Sequence, residues 1–279
     1  GLERLTAQQL KGLAKSLVIE RITPVTVIPE LSDSADKQYV AERIQKRLKK
    51  YKIPGLQDPQ ILVGGKALWP SARRMAQYLF DWSQRRSVDV FVVQKSARQR
   101  FEKLFLGSFA ETLLLHSPKP VLTIHPLSQP RRRYRRIALP VESEPWYRQI
   151  HKSIARLLRN TELEVSPFHW VNDPYVPFYG GYQETKKHKN EYLKKSMKEA
   201  EALLQAVQED LEASGLKAAP GEVKKGRVNP PEAIVKWCKK TEQDIILLHS
   251  HTEETQAHLI GSTARQIVRK SPMPVLVVK

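Results

Sequence analysis

A motif that occurs twice, 154 positions apart, constrains this chain more than anything else in its sequence. Leu106-Gly107-Ser108-Phe109-Ala110-Glu111 precedes Ser117-Pro118-Lys119-Pro120-Val121-Leu122, and Ile260-Gly261-Ser262-Thr263-Ala264-Arg265 precedes Ser271-Pro272-Met273-Pro274-Val275-Leu276. In both copies Gly-Ser stands ten residues ahead of Ser-Pro-x-Pro-Val-Leu. The separation is too long for a solenoid repeat and suits a duplicated domain. Trp82 stands seven residues before Asp89, and Trp237 seven before Asp244. Each Asp opens a short apolar run, Val90-Phe91-Val92-Val93 or Ile245-Ile246-Leu247-Leu248. Such runs read as strands buried on both faces, in a parallel sheet covered by helices.

The second copy reads in full as β-α-β-α-β-α-β-α-β. The strands are expected at 136–141, 163–171, 223–228, 245–248 and 275–279. The helices are expected at 146–159, 190–213, from Pro230-Pro231 through Lys240, and after Gly261-Ser262. This alternation defines an α/β doubly wound unit. The first copy matches from its first helix onward: helix 7–17, strand 24–28, helix 34–51, strand 60–63, helix 70–84. Its opening strand is absent, because Gly1 already sits at a helix start. An interior strand cannot be missing without exposing the backbone groups of its neighbours. The expectation is therefore that the chain has been trimmed at its N-terminus or that another segment fills the slot; a continuous first sheet would contradict this. The domains are expected at 1–128 and 137–279, joined by a basic linker at 129–136. The apolar last strands, Val121 to Ile124 and Val275 to Val278, are expected to pair within the chain, since an unpaired edge of this kind is a liability.

The net charge of +18 divides into +10 over residues 1–127 (21 basic, 11 acidic) and +8 over residues 128–279 (26 basic, 18 acidic). A spread positive field attracts anions without choosing among them. Arg131-Arg132-Arg133-Tyr134-Arg135-Arg136 reads either as a solvated connector or as an anion-binding stripe. The single cysteine, Cys238, excludes a disulfide framework and a cysteine zinc cage. With the start Gly1-Leu2-Glu3-Arg4 lacking a secretory pattern, a cytoplasmic setting is expected. No apolar run reaches the ~20 residues of a membrane helix.

The doubled ending, strand, loop, Gly-Ser, helix and Pro-Val-Leu strand, resembles the universal stress protein family in a tandem two-domain form, over nearly the whole chain. The resemblance implies two flavodoxin-like (Rossmann-like) doubly wound parallel-sheet domains in tandem, the first lacking its opening strand, and a cytoplasmic stress-response role. In members that bind ATP the family pattern is Gly-x-x-Gly, nine residues, then Gly-Ser or Gly-Thr. Glycines let the backbone approach phosphates, and the helix N-terminus holds their charge. Here only the second half of the pattern stands, at Gly107, Ser108 and at Gly261, Ser262, Thr263. The earlier glycine positions hold Gln94 and Ala97 in the first copy. In the second they hold Leu248 and His251, or His249 and Thr252. A left-handed backbone there costs a non-glycine residue about 1–2 kcal/mol. The resemblance also implies nucleotide contacts at the first strand's end, where Val141 and Glu142 stand, Glu142 in the place of an Asp. Trp170, near the end of the second strand, either stacks on a base or fills the cleft itself. The second copy is expected to be the better site, with His249 and His251 adding charge when protonated.

No nucleophile–base pair is recognisable, so no enzyme activity is expected, weak ATP hydrolysis being left open. His249, His251 and His258 lack carboxylates at ligand spacing, and no metal is expected. The aromatic stretch 173–182 reads as a contact surface or as a lid. The leading reading is a non-catalytic stress-response binding or interaction module with degenerate nucleotide motifs and no certain cofactor. The alternative is an ATP- or AMP-binding sensor using the two Gly-Ser helix ends. Nucleic-acid binding through the basic surface is the lower alternative, since no named motif supports it. An anionic ligand and a further homodimer are compatible with each reading.

Overall fold

The computed structural model describes residues 2–28, 34–63, 71–94, 108–125, 128–173, 182–250 and 261–278. The first half comprises α1 (Leu2–Ser16), β1 (Val25–Ile28), α2 (Ser34–Lys49), β2 (Gln60–Val63), α3 (Ala72–Gln84), β3 (Phe91–Gln94), α4 (Ser108–His116) and β4 (Val121–Ile124). The second half comprises β5 (Arg136–Pro140), α5 (Glu144–Leu158), β6 (Glu164–Asn172), α6 (Tyr182–Ala213), β7 (Lys217–Ala218), β8 (Glu222–Gly226), α7 (Pro230–Lys240), β9 (Ile245–His249), α8 (Ser262–Lys270) and β10 (Val275–Val278). The long helix begins earlier than the apolar periodicity suggests, at Tyr182, so that residue opens α6; residues 174–181 of the aromatic stretch lie outside the described residues.

One sheet runs in the order β3-β4-β10-β9-β5-β6, with β7 and β8 both on the far edge of β6. All pairings are parallel except one, β4 against β10. That pair joins the two expected last strands. Leu122 faces Leu276 across it, and these are equivalent positions of the repeat. A local two-fold axis therefore passes between them, the geometry of an isologous dimer interface within one polypeptide. Glu111 and Arg265 are also equivalent positions, and they meet as an ion pair that Arg269 joins at 3.0 Å. In a symmetric dimer this position would face its own copy; here duplication has let the two sites take opposite charges.

The Ser-Pro-x-Pro element has the same mechanics in both copies. Ser117 Oγ donates to the Lys119 carbonyl at 2.7 Å and accepts from the Lys119 N–H at 3.0 Å. Ser271 does the same with Met273 at 3.1 and 3.0 Å. The serine closes the turn after the helix, and the second proline enters the strand already extended. Helices cover both faces of the sheet. Leu79, Leu113, Ile234, Trp237 and Ile267 share one core cluster, and Leu13, Ile150, Ile154, Leu204 and Leu211 share the other. No helix among the described residues is long and apolar enough to cross a membrane.

The segment read as a basic linker keeps its arginines exposed but is tied down at Tyr134. Tyr134 is buried, and its N–H donates to Ser16 Oγ at 2.7 Å. The chain passes so close to α1 that a Cβ on Gly12 would lie 2.1 Å from the Arg131 carbonyl oxygen, so glycine is required there. Asp244 accepts from the N–H groups of Arg135 (2.6 Å) and Arg136 (3.0 Å), and its other oxygen holds the Arg131 guanidinium at 2.6 Å. Arg133 pairs with Glu162 at 2.8 Å, and Arg136 is the first residue of β5. Of the five arginines read as an anion stripe, Arg131, Arg133 and, at 4.0 Å, Arg136 meet carboxylates of the chain itself.

The first half does not form a continuous sheet. β1 and β2 pair in parallel as a separate two-stranded sheet, and no strand among the described residues lies between β1 and β3.

Candidate functional site

In an open parallel sheet a ligand crevice forms at the carboxyl ends of the strands. In the second half that position is bounded by Pro140 at the end of β5, Val141 and Glu142 after it, Leu248 and His249 at the end of β9, and Thr263 in the first turn of α8. β5 ends because Pro140 and the turn that follows lead into α5, with Ser143 as the extended residue ahead of it and Pro145 in the first turn. The Val141 N–H donates to the Phe168 carbonyl at 2.9 Å, anchoring the strand end beside β6. The Val141 carbonyl accepts from His169 Nδ1 at 2.7 Å. Desolvation lowers the His169 pKa, and the hydrogen bond opposes this in part.

Glu142 stands in the turn with part of its surface in solvent. Crowding of its carboxyl raises its pKa above the ordinary glutamate value, because burial disfavours the charged form. The open side tempers that effect. Glu142 lines the same cavity as Thr263 in the first turn of α8, where an ionised carboxylate would repel an incoming phosphate.

The aromatic wall is Trp146. Its ring meets the His249 imidazole edge-on, with centroids 5.5 Å apart. Together they narrow the crevice to a cavity of about 30 Å³. That is room for about one water molecule, against the 300–1,000 Å³ typical of sites that enclose a small molecule. Sequence reasoning missed Trp146. The available signal was an aromatic residue in the first turn of the helix that follows the opening strand.

Trp170 does not line this cavity. β6 continues past the end of β5 to pair with β8 from Phe168 to Asn172. Strand alternation then lays the Trp170 ring over Gly226, where a Cβ would come within 2.7 Å of it. Its indole N–H donates to the Val228 carbonyl at 3.1 Å and to Asn172 at 3.2 Å. The expected adenine platform is thus a packing residue of the sheet edge.

Gly261 is buried with φ −54° and ψ 146°, a conformation open to any residue. Its N–H donates to the Ser250 carbonyl at 2.8 Å. Ser262 opens α8 and is exposed, and Thr263 alone of the Gly-Ser-Thr group lines the cavity with its neighbour Ala264. The first N–H groups of α8 have no acceptor within the helix, and its N-cap residue, Gly261, supplies no side-chain cap. Ser108 opens α4 in the same way and is exposed. Gly107, Ala97, His251 and His258 lie outside the described residues. Among the described residues no group of His, Cys, Asp or Glu is arranged to hold a metal ion. Cys238 is buried, and burial pushes its thiol pKa up to about 12, so it is inert at neutral pH.

A mostly parallel sheet with helices on both faces, and a crevice at its strand ends against a glycine-led helix, defines a flavodoxin-like α/β protein. Residues 133–279 match the model of the universal stress protein family, and the chain belongs to that family. The structure is similar to that of a universal stress protein from Archaeoglobus fulgidus DSM 4304, at 17% identity, covering 98% of this chain and 92% of that one, with a TM-score of 0.64. It is also similar to a putative universal stress protein from Pseudomonas aeruginosa UCBPP-PA14, at 14% identity, covering 98% of this chain and 86% of that one, with a TM-score of 0.58. These two likenesses concern the fold. No curated protein sequence matches the chain.

Proposed function

We propose that this chain is a tandem universal stress protein that works as a non-catalytic, cytoplasmic binding or interaction module in stress tolerance, its nucleotide site degenerate. The observation that carries this reading is the Trp146–His249 contact, which leaves about 30 Å³ where a nucleotide would need ten times more. The Glu142 carboxyl at the same mouth and the absence of glycine at the earlier loop positions of the motif point the same way.

The competing reading is an ATP or AMP sensor. The uncapped start of α8 favours it, since that end stays available to an anion once the aromatic pair swings aside. Calorimetric titration separates the two. The protein should bind ATP and AMP with Kd weaker than about 1 mM, and Trp146→Ala should strengthen AMP binding by removing the plug. Micromolar binding by the unaltered protein, lost on Ser262→Glu, would establish the sensor instead.

A further inference from the structure

The sheet of the second half ends on an open edge. β8 pairs with β6 on one side, and among the described residues no strand pairs with its other side. The Asp173 N–H donates to the Gly226 carbonyl at 2.7 Å, so the backbone of Gly226 points inward, to β6. Backbone groups alternate in direction along a strand, and those of Val223 and Lys225 therefore point outward.

The charge beside this edge is one-sided. Val223 packs with Leu193, Met197 and Ala200, which sets α6 over one face of β8. Side-chain alternation puts Lys225 on that same face. Lys189 and Arg227 meet a single carboxylate, Asp173, at 2.5 and 3.4 Å. α6 meets α5 through Val207, Asp210 and Ser214. At about 3.6 residues per turn, Lys187, Lys194 and Lys198 fall on the opposite flank, the one beside the open edge. All three are exposed, and none forms an ion pair among the described residues. Six cations thus stand against one carboxylate. The other face of the edge is apolar. The Trp170 ring lies over Gly226, which has no side chain to separate ring from edge, and Val228 just beyond is 40% exposed.

We propose that this edge receives an extended acidic segment of a partner protein, which adds to β8 as a further strand. The segment's backbone bonds to the outward groups of Val223 and Lys225. Its side chains alternate: carboxylates on the face of Lys225 and the α6 lysines, apolar groups on the face of Trp170. Charge selects this occupant. Lysines on an edge strand keep like edges apart, and a net charge of +18 opposes a second copy of the chain. An acidic segment turns the same charges into attraction. None of these residues lines the crevice beside α8, so the proposal stands whichever nucleotide reading holds there.

The test titrates the 279-residue chain with an acetylated, amidated peptide of four Glu-Val repeats. Calorimetry should show binding with Kd tighter than about 1 mM, and a peptide of four Lys-Val repeats should not bind. Bound peptide should slow amide exchange at Val223 and Lys225 by about tenfold or more. Lys224 and Gly226, which point to β6, should keep their rates. Lys194→Glu with Lys225→Glu, both at exposed positions, should weaken binding about tenfold or more, with exchange in β9 and β10 unchanged. No binding of the Glu-Val peptide would overturn the proposal, as would binding that leaves the Val223 and Lys225 amides unprotected. Protection of those amides that grows with protein concentration in the absence of peptide would assign the edge to a second copy instead. A single-stranded oligouridylate that binds more tightly than the peptide, and loses its affinity in the same double variant, would assign the patch to nucleic acid and also overturn it.

Discussion

Replacing Asp244 by alanine tests how the connector is held between the two halves. Asp244 is 5% exposed, accepts from the N–H groups of Arg135 and Arg136, and forms an ion pair with the Arg131 guanidinium. Alanine leaves two part-buried N–H groups without an acceptor, and each such loss costs about 1–3 kcal/mol. Arg131 is half-exposed, so its ion pair adds about 1 kcal/mol at most. Taking the lower half of the range because water reaches this surface, the expected loss is about 2–4 kcal/mol. In a chain of this size each kcal/mol lowers Tm by roughly 2–4 °C, so scanning calorimetry should show a fall of about 5–15 °C. Asp244→Asn keeps one acceptor oxygen and loses the charge, and should cost about 1 kcal/mol. An alanine variant within about 0.5 kcal/mol of the parent, the range of an ordinary surface change, would refute the reasoning. So would an asparagine variant as damaged as the alanine one.

Glu142 has its pKa raised by burial, so between the ordinary glutamate value and that raised value the folded protein holds the proton more tightly than the unfolded chain. Stability should fall as pH rises through that window. Glu142→Gln should therefore stabilise the protein at pH 7 and lose its advantage below about pH 4, near the unperturbed glutamate pKa; an equal gain at pH 3 and pH 7 in urea denaturation would contradict the assignment. At the two-fold contact, Glu111→Arg sets three guanidinium groups together and should cost about 1–2 kcal/mol, a like-charge repulsion added to a lost pair. Combining it with Arg265→Glu should recover at least half of the loss, as a double-mutant cycle would read; strict additivity would show that the pair contributes nothing.

Much of the fold was legible in the residues. The apolar runs after Asp89 and Asp244 are both strands, though only the second is covered on both faces, Val92 of the first being 40% exposed; Ser-Pro-x-Pro turns a helix into an extended chain in both copies. The end-to-end pairing of Val121–Ile124 with Val275–Val278 followed from the cost of leaving two apolar edges open. The site was less legible. Val141, Glu142, His249 and Thr263 line one cavity at the strand ends, because a parallel sheet brings the termini of separate strands together, while Gly261 and Ser262 stand at the start of α8 without lining it. Trp170 does not join them, since its place depends on how far β6 outruns β5, and Trp146 takes the aromatic position instead.

What the sequence by itself determined was local and periodic: which segments are strands or helices, and that the pattern occurs twice. These follow from side-chain volume, backbone preference and spacing along a single chain. What only the tertiary structure decided was which charges answer one another and how much space remains. Arg131 finds Asp244 and Arg133 finds Glu162, Glu111 finds Arg265, and Trp146 leans on His249. Each of these joins residues distant in sequence, and its sign rests on distances set by the packing of whole elements, which no local pattern encodes.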